Sequence, residues 1–509
     1  MTILDCTLRD GGYYTNWDFE DEVVQTYIHN LNALPIDYIE LGYRNKPQSE
    51  YLGQFGYCPV STLQHIRSIS EKKIAIMLNE KDCHPEDLDL LLNPIKGLVD
   101  MVRLAVDPKN FDRAVVLAKA VKQMGFEVAF NTMYMSTWAD LDNFYPKLSQ
   151  LDGIVDWFCM VDSFGSMTPE LVKTTTQEVR MHTKVRLGFH GHNNLQLALI
   201  NTLTAMEQGV EFADATILGM GRGAGNLNVE LLMTYLNKHQ NLQVDFNRLG
   251  EVIQVFEPLR QKCNWGTNLP YMLSGANSIP QKEVMAWVQN RVYSFNNIVR
   301  ALDNRKAGLQ DNAKYPIYKV KRKNKQVIII GGGASVQQHV EAIKVLIKST
   351  DTAIVFATSR FTELFADIKC DKFFILVGNE GKRLESKIGN IPFADTCILP
   401  PYPRKMGTDV PKCAEGHTYE LGNISVIGKY EDSCTVIALQ LANQLSSKTI
   451  YVVGYDGYSG VALTEKEITL NKENKEIFEL YKRNTGNELV SLLPSLYTEL
   501  KVESIYSKQ

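Results

Sequence analysis

The feature that most constrains the fold is a regular alternation of short apolar runs with longer segments of helical periodicity, from Met1 to about residue 235. The apolar runs lie at 3–5, 38–41, 74–78, 101–104, 128–130, 157–161, 185–189 and 215–218. Between the first two runs, Val23, Tyr27, Leu31 and Leu34 fall on one face of a helix. Eight strand-then-helix units are the number that closes a (β/α)₈ barrel, so we predict an α/β protein with an N-terminal TIM barrel.

The pattern changes twice after this barrel, which we place at residues 1–240. Residues 241–318 lack the alternation and are interrupted by Pro258, Pro270 and Pro280, which predicts a helical extension packed on the barrel. The charged segment 319–325 predicts a solvated linker rather than a phosphate-binding patch. Apolar runs at 327–330, 353–356, 373–377, 424–427 and 450–453 then predict a Rossmann-like, open α/β domain at 326–509.

Composition excludes several classes of partner. The chain has 54 Lys and Arg against 58 Asp and Glu, without a basic block, so nucleic acid is not an expected partner. Its apolar runs are far shorter than the roughly 20 residues of a membrane helix, and its first residues do not resemble a signal peptide. Nine cysteines without CxxC pairs indicate reduced thiols and a cytoplasmic protein. We also expect a homo-oligomer.

Polar residues recur where the predicted barrel strands end, which is where such barrels carry their chemistry. His190 and His192 are the strongest signal, because residues i and i+2 of a strand face the same side and both imidazoles can then face one ion. Asp10 follows the first strand, which neighbours theirs if the barrel closes, and two histidines with one carboxylate leave open positions typical of a catalytic metal. Arg9 would then serve as a clamp for an oxyanion. The alternatives are hydrogen-bonded core histidines and a simple Arg9–Asp10 ion pair.

Four segments together carry a family resemblance: DCTLRDGG at 5–12, IELG at 39–42, GFHGHNN at 188–194 and GMGRGAGN at 219–226. They resemble the DRE-TIM metallolyase superfamily, the HMG-CoA lyase-like enzymes, and are most similar to its 4-hydroxy-2-oxovalerate aldolase branch. The resemblance covers about the first 235 residues. It implies a divalent-metal-dependent aldolase, a carbon–carbon lyase that acts on an α-keto acid through a pyruvate-type enolate and on an aldehyde. The implied cofactor is Mn²⁺ or Mg²⁺.

The resemblance also implies roles for individual residues. Asp10, His190 and His192 would hold the cation, Asn226 would approach or ligate it, and Arg9 would stabilise the enolate oxygen. Tyr13 stands where the aldolases have a histidine that deprotonates the 4-hydroxyl. A phenol with a pKa near 10 is a poor base, so Tyr13 is expected to act as an acid or hydrogen-bond donor, with water or Tyr14 as the base.

Other strand-end residues are assigned more loosely. Glu40 is predicted to be catalytic, and the residues predicted to bind substrate are Arg44, Arg103, Asn131 and Asp162. The alternative for Glu40 and Asp162 is ion pairing with barrel arginines, and for Arg44 a solvated loop. HMG-CoA lyases carry a cysteine after the eighth strand, whereas this chain has none between Cys159 and Cys263, which disfavours a thioester lyase. An acyl-CoA Claisen-type synthase and a non-catalytic nucleotide-sugar-binding protein of glycan assembly stay open as alternatives.

The second domain opens with a glycine-rich turn that follows a strand and precedes a helix. Its predicted phosphate-binding residues are Gly331, Gly332, Gly333 and Ser335. Val336 replaces the third glycine of GxGxxG and no acid ends the next strand, so a nicotinamide cofactor is not expected. The turn resembles that of pterin-pyrophosphokinase-like domains in glycan-assembly proteins, which implies a nucleotide or nucleotide sugar as ligand. A tight structural turn is the alternative.

Overall fold

In the computed structural model, eight parallel strands of the N-terminal part close into a barrel, in which each strand pairs with the next and the eighth pairs with the first. The strands are β1 (Thr2–Asp5), β2 (Tyr38–Tyr43), β3 (Lys73–Asn79), β4 (Met101–Val106), β5 (Glu127–Thr132), β6 (Trp157–Asp162), β7 (Arg186–Gly191) and β8 (Phe212–Ala215). The predicted barrel is confirmed. The predicted eighth run, 215–218, is wrong by three residues, because the strand begins at Phe212 and 217–219 form a 3₁₀ turn.

The structure describes residues 1–49, 51–280, 284, 298–299, 301, 314–388, 393–404, 409–459 and 465–508. The chain forms two compact units, Met1–Met285 and Ala286–Gln509. The described helices of the first unit are α1 (Thr7–Thr15), α2 (Asp21–Ala33), α3 (Gln54–Tyr57), α4 (Val60–Ile69), α5 (Leu88–Leu92), α6 (Phe111–Gln123), α7 (Phe144–Lys147), α8 (Pro169–His182), α9 (Ala198–Glu207), α10 (Val229–Gln240), α11 (Phe246–Cys263) and α12 (Leu269–Ala276). Its other 3₁₀ helices are Pro85–Asp87, Asn93–Ile95, Pro108–Asn110, Met135–Asp140 and Leu148–Leu151.

A buried cluster of nonpolar and sulfur-containing side chains fills the barrel interior. It consists of Leu4, Cys6, Tyr38, Ala75, Met101, Ala129, Trp157, Cys159 and Phe212. Strand β7 contributes Gly188 at this level, where a Cβ atom would lie 2.6 Å from the Cys159 sulfur. Most of these residues come from the first half of their strands, so the polar residues nearer the carboxyl ends lie above them.

Within the segment predicted as a helical extension, the structure has α11, which contains Pro258, and α12, which contains Pro270. Most of the remaining predicted extension, 281–313, lies outside the described residues. The segment predicted as a linker at 319–325 is not free of the second unit. The neighbouring Tyr318 N–H donates to the carbonyl of Glu420 at 2.8 Å, and the Arg322 guanidinium contacts Asp351 and Asp371 at 3.2 and 3.0 Å.

The second unit contains an open, parallel eight-stranded sheet in the order β13-β12-β11-β10-β9-β14-β15-β16. Its strands are β9 (Asn324–Ile330), β10 (Thr352–Phe356), β11 (Asp371–Ile375), β12 (Thr396–Leu399), β13 (Thr418–Glu420), β14 (Ser446–Val453), β15 (Val490–Ser491) and β16 (Lys501–Val502). Its described helices are α13 (Ser335–Gln338), α14 (Val340–Ser349), α15 (Glu380–Ile388), α16 (Cys434–Leu445) and α17 (Glu465–Thr485), with 3₁₀ helices at Ser359–Phe365, Lys412–His417 and Ile505–Lys508. The Rossmann-like class of this sheet stays a prediction.

The strand predicted at 424–427 is wrong. Val426 and Ile427 are buried, but the N–H groups of Ser425 and Val426 donate to the Gln440 side chain at 2.9 and 3.2 Å instead of to a strand. None of the described helices combines the length and the apolar character that crossing a bilayer would require.

Candidate active site

The motif after the first strand lies on a short helix rather than on a loop. Helix α1 begins at Thr7, directly beyond β1, and carries Arg9 and Asp10 buried at the carboxyl end of the barrel. Gly11 allows this helix to lie close to the loop after β8, because a Cβ atom there would be 2.5 Å from the Met220 sulfur. The first strand therefore delivers an arginine and a carboxylate to the same point.

Four of the predicted metal-binding residues gather at this point. His190 Nε2 lies 3.7 Å from Asp10 Oδ2, and the His190 and His192 rings have centroids 5.0 Å apart. Asn226 Nδ2 donates to the same Asp10 oxygen at 2.6 Å. Strand β7 and the loop after β8 thus bring two imidazoles and an amide to the carboxylate on α1.

Hydrogen bonds on the outer side of each imidazole fix the two rings. His190 Nδ1 donates to Asp214 Oδ2 at 2.7 Å, and His192 Nδ1 donates to the carbonyl of Asp162 at 2.7 Å. The Nε2 atom of each ring is then the acceptor that is left for a ligand. This arrangement is the usual one for histidines that bind a metal.

The electrostatics of the cluster suit a cation. Burial opposes ionisation of Asp10, but Arg9, the two histidines and the Asn226 hydrogen bond together outweigh it, and the pKa of Asp10 lies below its usual value. Burial, with His190 beside it, lowers the pKa of His192 to about 3, so this imidazole is neutral at pH 7. A carboxylate and a neutral imidazole are the forms that bind a divalent ion.

Asn226 provides an independent test of whether a cation fits. Its Oδ1 atom is buried and has no hydrogen-bond partner among the described residues, while its Nδ2 donates to Asp10 and to the Met220 carbonyl. A buried acceptor without a donor is costly, and a metal ion would supply the missing interaction. The residues present therefore fit a divalent cation held by Asp10, His190, His192 and Asn226.

A second group of potential ligands, Cys6, His190 and Asp214, also lies within 4.8 Å. Burial raises the pKa of the Cys6 thiol well above its usual value, so this sulfur is not a thiolate at neutral pH. Asp214 is already bonded to His190 Nδ1 and, at 2.6 Å, to Arg103 Nη2. This group lies behind His190 and orients it, and we place the cation on the Nε2 side.

A charged layer lies beneath the predicted ligands. Arg9 Nε donates to Glu40 Oε2 at 2.9 Å, and Arg103 Nη1 donates to the same oxygen at 3.0 Å. With the Arg103–Asp214 bond, this chain of charges connects α1, β2, β4 and β8. Two arginines face three carboxylates, Asp10 included, so a divalent cation would reverse the sign of the buried net charge.

Several residues predicted to bind substrate are placed elsewhere by these contacts. Arg103 is 0% exposed and belongs to the charged layer, and Asn131 Oδ1 accepts from its Nε at 3.3 Å. Glu40 is also 0% exposed and orients Arg9 from below. The ion-pair alternative for Glu40 therefore describes it better than a direct catalytic role.

Arg44 and Asp162 make their hydrogen bonds to backbone groups. Arg44 donates to the carbonyls of Leu91, Tyr57 and Cys58 and so ties loops together. The Asp162 carboxylate accepts from the N–H groups of Ser166 and Met167 at 3.0 and 3.2 Å and closes a turn. These contacts use the Asp162 carboxylate and the Nε and Nη1 groups of Arg44, and contact of either residue with a substrate stays a prediction.

Tyrosines and one arginine form the rim of the site. The Tyr13 hydroxyl lies 3.1 Å from the Tyr43 hydroxyl, and the Arg222 guanidinium lies over the Tyr13 ring, 4.5 Å from its centroid. Burial and the neighbouring Tyr13 raise the pKa of Tyr43 well above its usual value, so Tyr43 stays protonated. Tyr134 completes the rim and stacks on Phe164 at 5.3 Å.

Asp214, Tyr43 and Arg222 are site residues that the sequence reasoning did not single out. Asp214 lies on β8 between Ala213 and Ala215, so the misplaced eighth strand concealed it. Arg222 stands within a recognised motif, but the motif glycines and Asn226 drew attention away from it. An isolated charge in an apolar strand is the signal that would have identified Asp214.

In the second unit, N–H groups of the glycine-rich turn 331–333 and of the residues after it donate to other groups of the same chain. Gly333 N–H donates to the Gly454 carbonyl at 2.7 Å, and Ser335 N–H donates to Asp456 Oδ2 at 2.9 Å. A Cβ atom at Gly333 would lie 2.4 Å from the Asp456 carboxyl carbon. These contacts correspond to the alternative of a tight structural turn, with a carboxylate where the phosphate was predicted.

The same turn borders a cleft of about 660 Å³ at the carboxyl ends of β9, β10, β11 and β14. Its lining includes Arg360, Arg383, Tyr455, Asp456 and Asn474. Strand β9 is the central strand at which the order of the sheet changes direction, and ligands of open α/β sheets bind beside such strands.

Comparison with known proteins matches the barrel to characterised families. The model of the HMGL-like family matches residues 99–255. An oxaloacetate decarboxylase from Mycobacterium tuberculosis is 26% identical over 314 residues, which are 60% of this chain and 92% of that protein. A 4-hydroxy-2-oxovalerate aldolase from Carboxydothermus hydrogenoformans is 30% identical over 244 residues, 47% of this chain and 71% of that protein.

Among solved structures, the chain is similar to the N-terminal domain of a Bacteroides vulgatus protein described as an aldolase. The identity is 66% and the TM-score 0.57, over 59% of this chain and 100% of that domain. The barrel and these relatives define an enzyme of the lyase class. The chain belongs to the HMGL-like family, the DRE-TIM enzymes, whose members depend on a divalent metal.

Proposed function

We propose that this protein is a divalent-metal-dependent aldolase that makes or breaks a carbon–carbon bond between a pyruvate-type α-keto acid and an aldehyde. The observation that carries the proposal is the buried Arg9 guanidinium beside the cluster of Asp10, His190, His192 and Asn226. The names of the aldolase relatives agree with this chemistry.

Enolate formation needs positive charge where the keto oxygen becomes negative. Mn²⁺ or Mg²⁺ bound by the four residues would act as a Lewis acid toward the oxygens of the keto acid. Arg9 uses Nε for Glu40 and Nη1 for Asp10, and no described residue accepts from its Nη2. These remaining N–H groups are the ones we assign to the developing oxyanion.

Addition to the aldehyde requires a proton for the aldehyde oxygen, whereas enolate formation from the keto acid does not. When the enolate carbon attacks the aldehyde carbon, the aldehyde oxygen gains a proton, which balances the proton lost from carbon 3 of pyruvate. We assign this transfer to the hydroxyl of Tyr13, with Tyr43 as its hydrogen-bonded neighbour at 3.1 Å. Cleavage runs the same transfer in reverse.

The test is exchange of the carbon 3 protons of pyruvate in deuterated water with Mn²⁺, followed by NMR. We expect exchange by the wild-type protein, none after removal of metal by a chelator, and strong loss in Arg9→Gln. Arg260→Gln is the matched control, since Arg260 is an exposed helix residue of α11. Lack of exchange by folded, Mn²⁺-loaded protein would contradict the proposal.

A second candidate is decarboxylation of oxaloacetate, favoured by the alignment over 92% of the Mycobacterium tuberculosis oxaloacetate decarboxylase. Loss of CO₂ would give the same enolate without any aldehyde. This candidate would be supported if the protein released CO₂ from oxaloacetate faster than free Mn²⁺ does and faster than the Arg9→Gln variant does. Formation of aldol product from pyruvate and an aldehyde panel would support the aldolase.

We also propose that the cleft of the second unit binds a nucleotide or nucleotide sugar. Its volume of about 660 Å³ lies in the range of small-molecule sites, and the guanidinium groups of Arg360 and Arg383 suit a diphosphate. We expect nucleoside diphosphates and their sugar derivatives to raise the melting temperature, less so in Arg383→Gln. No shift with any uridine, guanosine, cytidine or adenosine diphosphate derivative would contradict this assignment.

A further inference from the structure

The loop after β8 holds an arginine whose charge has no counterpart. Among the described residues, no carboxylate lies within ion-pair distance of Arg222, although it is half-buried. The other arginines at the site behave differently, since Arg9 contacts Asp10 and Glu40, and Arg103 contacts Glu40 and Asp214. A partly buried charge without a partner is costly unless a ligand supplies the opposite charge.

The backbone on both sides of Arg222 is fixed. The Arg222 carbonyl accepts from Gly225 N–H at 3.2 Å. Gly223 has a φ of +64° and donates its N–H to the Tyr14 hydroxyl at 3.1 Å, and its carbonyl accepts from Gly266 N–H at 3.1 Å. The loop that carries Arg222 is therefore tied to its neighbours, and its guanidinium lies over the Tyr13 ring.

The position of the guanidinium is at the mouth of the site. Its charge acts on His192 after β7, on Tyr14 of α1 and on Tyr134 after β5. Arg9 is 7% exposed and lies with the metal-binding cluster, whereas Tyr13, one helical turn further along α1, and Arg222 are half-buried. The keto acid is assigned to the inner end, so Arg222 faces the outer end, where the aldehyde enters.

We propose that Arg222 is a specificity residue that binds an anionic group, a carboxylate or a phosphate, on the aldehyde substrate. This inference rests on the proposed aldolase function and adds the chemical class of its second substrate. An arginine offers paired N–H donors that match the oxygens of either group. The face of Tyr13 beneath it holds the guanidinium by a cation–π contact while leaving its edge for the anion.

The experiment compares four aldehydes with pyruvate and Mn²⁺: acetaldehyde and propanal as neutral substrates, succinic semialdehyde as a carboxylate, and glyceraldehyde 3-phosphate as a phosphate. We expect the wild-type kcat/KM to favour at least one anionic aldehyde over the neutral ones by about 10- to 100-fold, as charged hydrogen bonds typically allow. Which anionic aldehyde is preferred distinguishes the carboxylate from the phosphate. Arg222→Met should reduce the preference to near 1, and Arg222→Lys should restore part of it.

Arg260→Met is the matched control and should keep the wild-type preference. An equal preference for neutral and anionic aldehydes in the wild type would overturn the inference. The inference would also be overturned if Arg222→Met raised the KM for pyruvate as much as the KM for the anionic aldehyde. Arg222 would then bind the keto acid. Failure of the aldolase proposal is separate, since it appears as missing deuterium exchange into pyruvate in the wild type.

Discussion

The resemblance to the aldolases places Tyr13 at the position of their histidine. Its hydroxyl contacts Tyr43, and its ring lies under Arg222. We expect Tyr13→Phe to lower aldol turnover by about 100-fold or more, in line with the usual contribution of general acid–base groups. Deuterium exchange into pyruvate should fall much less, because it depends on Arg9 and the cation. Both rates are measured by NMR on one preparation.

Tyr51→Phe is the control for this change, since Tyr51 is 72% exposed. Full aldol activity in Tyr13→Phe would make the tyrosine a pocket wall and place the acid elsewhere. Equal loss of exchange and aldol turnover would instead assign Tyr13 to the keto acid or the metal.

His192 provides the direct test of the metal assignment. Its Nδ1 is bonded to the Asp162 carbonyl, so truncation removes the Nε2 ligand. Loss of a residue that hydrogen-bonds to a metal ligand typically weakens metal binding by about 10- to 100-fold. Because His192 is itself a proposed ligand, we expect His192→Ala to weaken Mn²⁺ binding by more than this. Bound Mn²⁺ per chain after dialysis measures this, with the exposed His65→Ala as control. Unchanged stoichiometry in folded His192→Ala would refute the ligand assignment.

At the scale of elements, the sequence predicts the repeated strand–helix units of the barrel and misses the short strands of the second unit. The barrel was predictable because long helices alternate with buried strands over eight units. In the second unit, β13, β15 and β16 have only two or three residues and carry no measurable periodicity. The false strand at 424–427 is an apolar run whose polar backbone groups are satisfied by Gln440.

A bulge in β2 explains why the sequence pointed to Arg44 and not to Tyr43. The register between β2 and β3 shifts between Glu40 and Tyr43. The extra residue reverses the alternation of side chains beyond Glu40, so Tyr43 contacts Tyr13 while Arg44 contacts backbone carbonyls outside the site. Regular alternation from Glu40 predicts the opposite, and a bulge leaves little trace in sequence.

Close packing of Gly221 against Asn226 in the loop after β8 leads to a further prediction. A Cβ atom at Gly221 would lie 2.5 Å from Asn226 Nδ2, so Gly221→Ala must displace the amide that we assign to the metal. We expect weaker Mn²⁺ binding, by about tenfold or more, with the fold retained by circular dichroism. Gly250→Ala is the control, because a Cβ there meets nothing within 4 Å and helix α11 should gain about 0.5–1 kcal/mol. Wild-type affinity in Gly221→Ala would contradict the role of Asn226.

At the scale of the whole molecule, the two units should separate functionally. The Bacteroides vulgatus domain that matches 59% of this chain was crystallised as an N-terminal domain. We expect residues 1–285, the first compact unit, to fold with a single thermal transition, to bind Mn²⁺ and to exchange pyruvate protons at the rate of the full chain. Calorimetry and NMR measure these properties. Aggregation, or loss of exchange with metal bound, would mean that the barrel depends on the second unit.

The charged layer under the site has a consequence for directed evolution. Arg103, Glu40 and Asp214 are buried and tie β2, β4 and β8 together, so random changes there remove folded clones from a library before any substrate is tested. Tyr13, Tyr134 and Arg222 are half-buried on the rim and connect no strands of the barrel. A library confined to the codons of Tyr134 and Arg222, with Tyr13 kept as the proton donor, should keep most clones folded and active, so that selection acts on the choice of aldehyde.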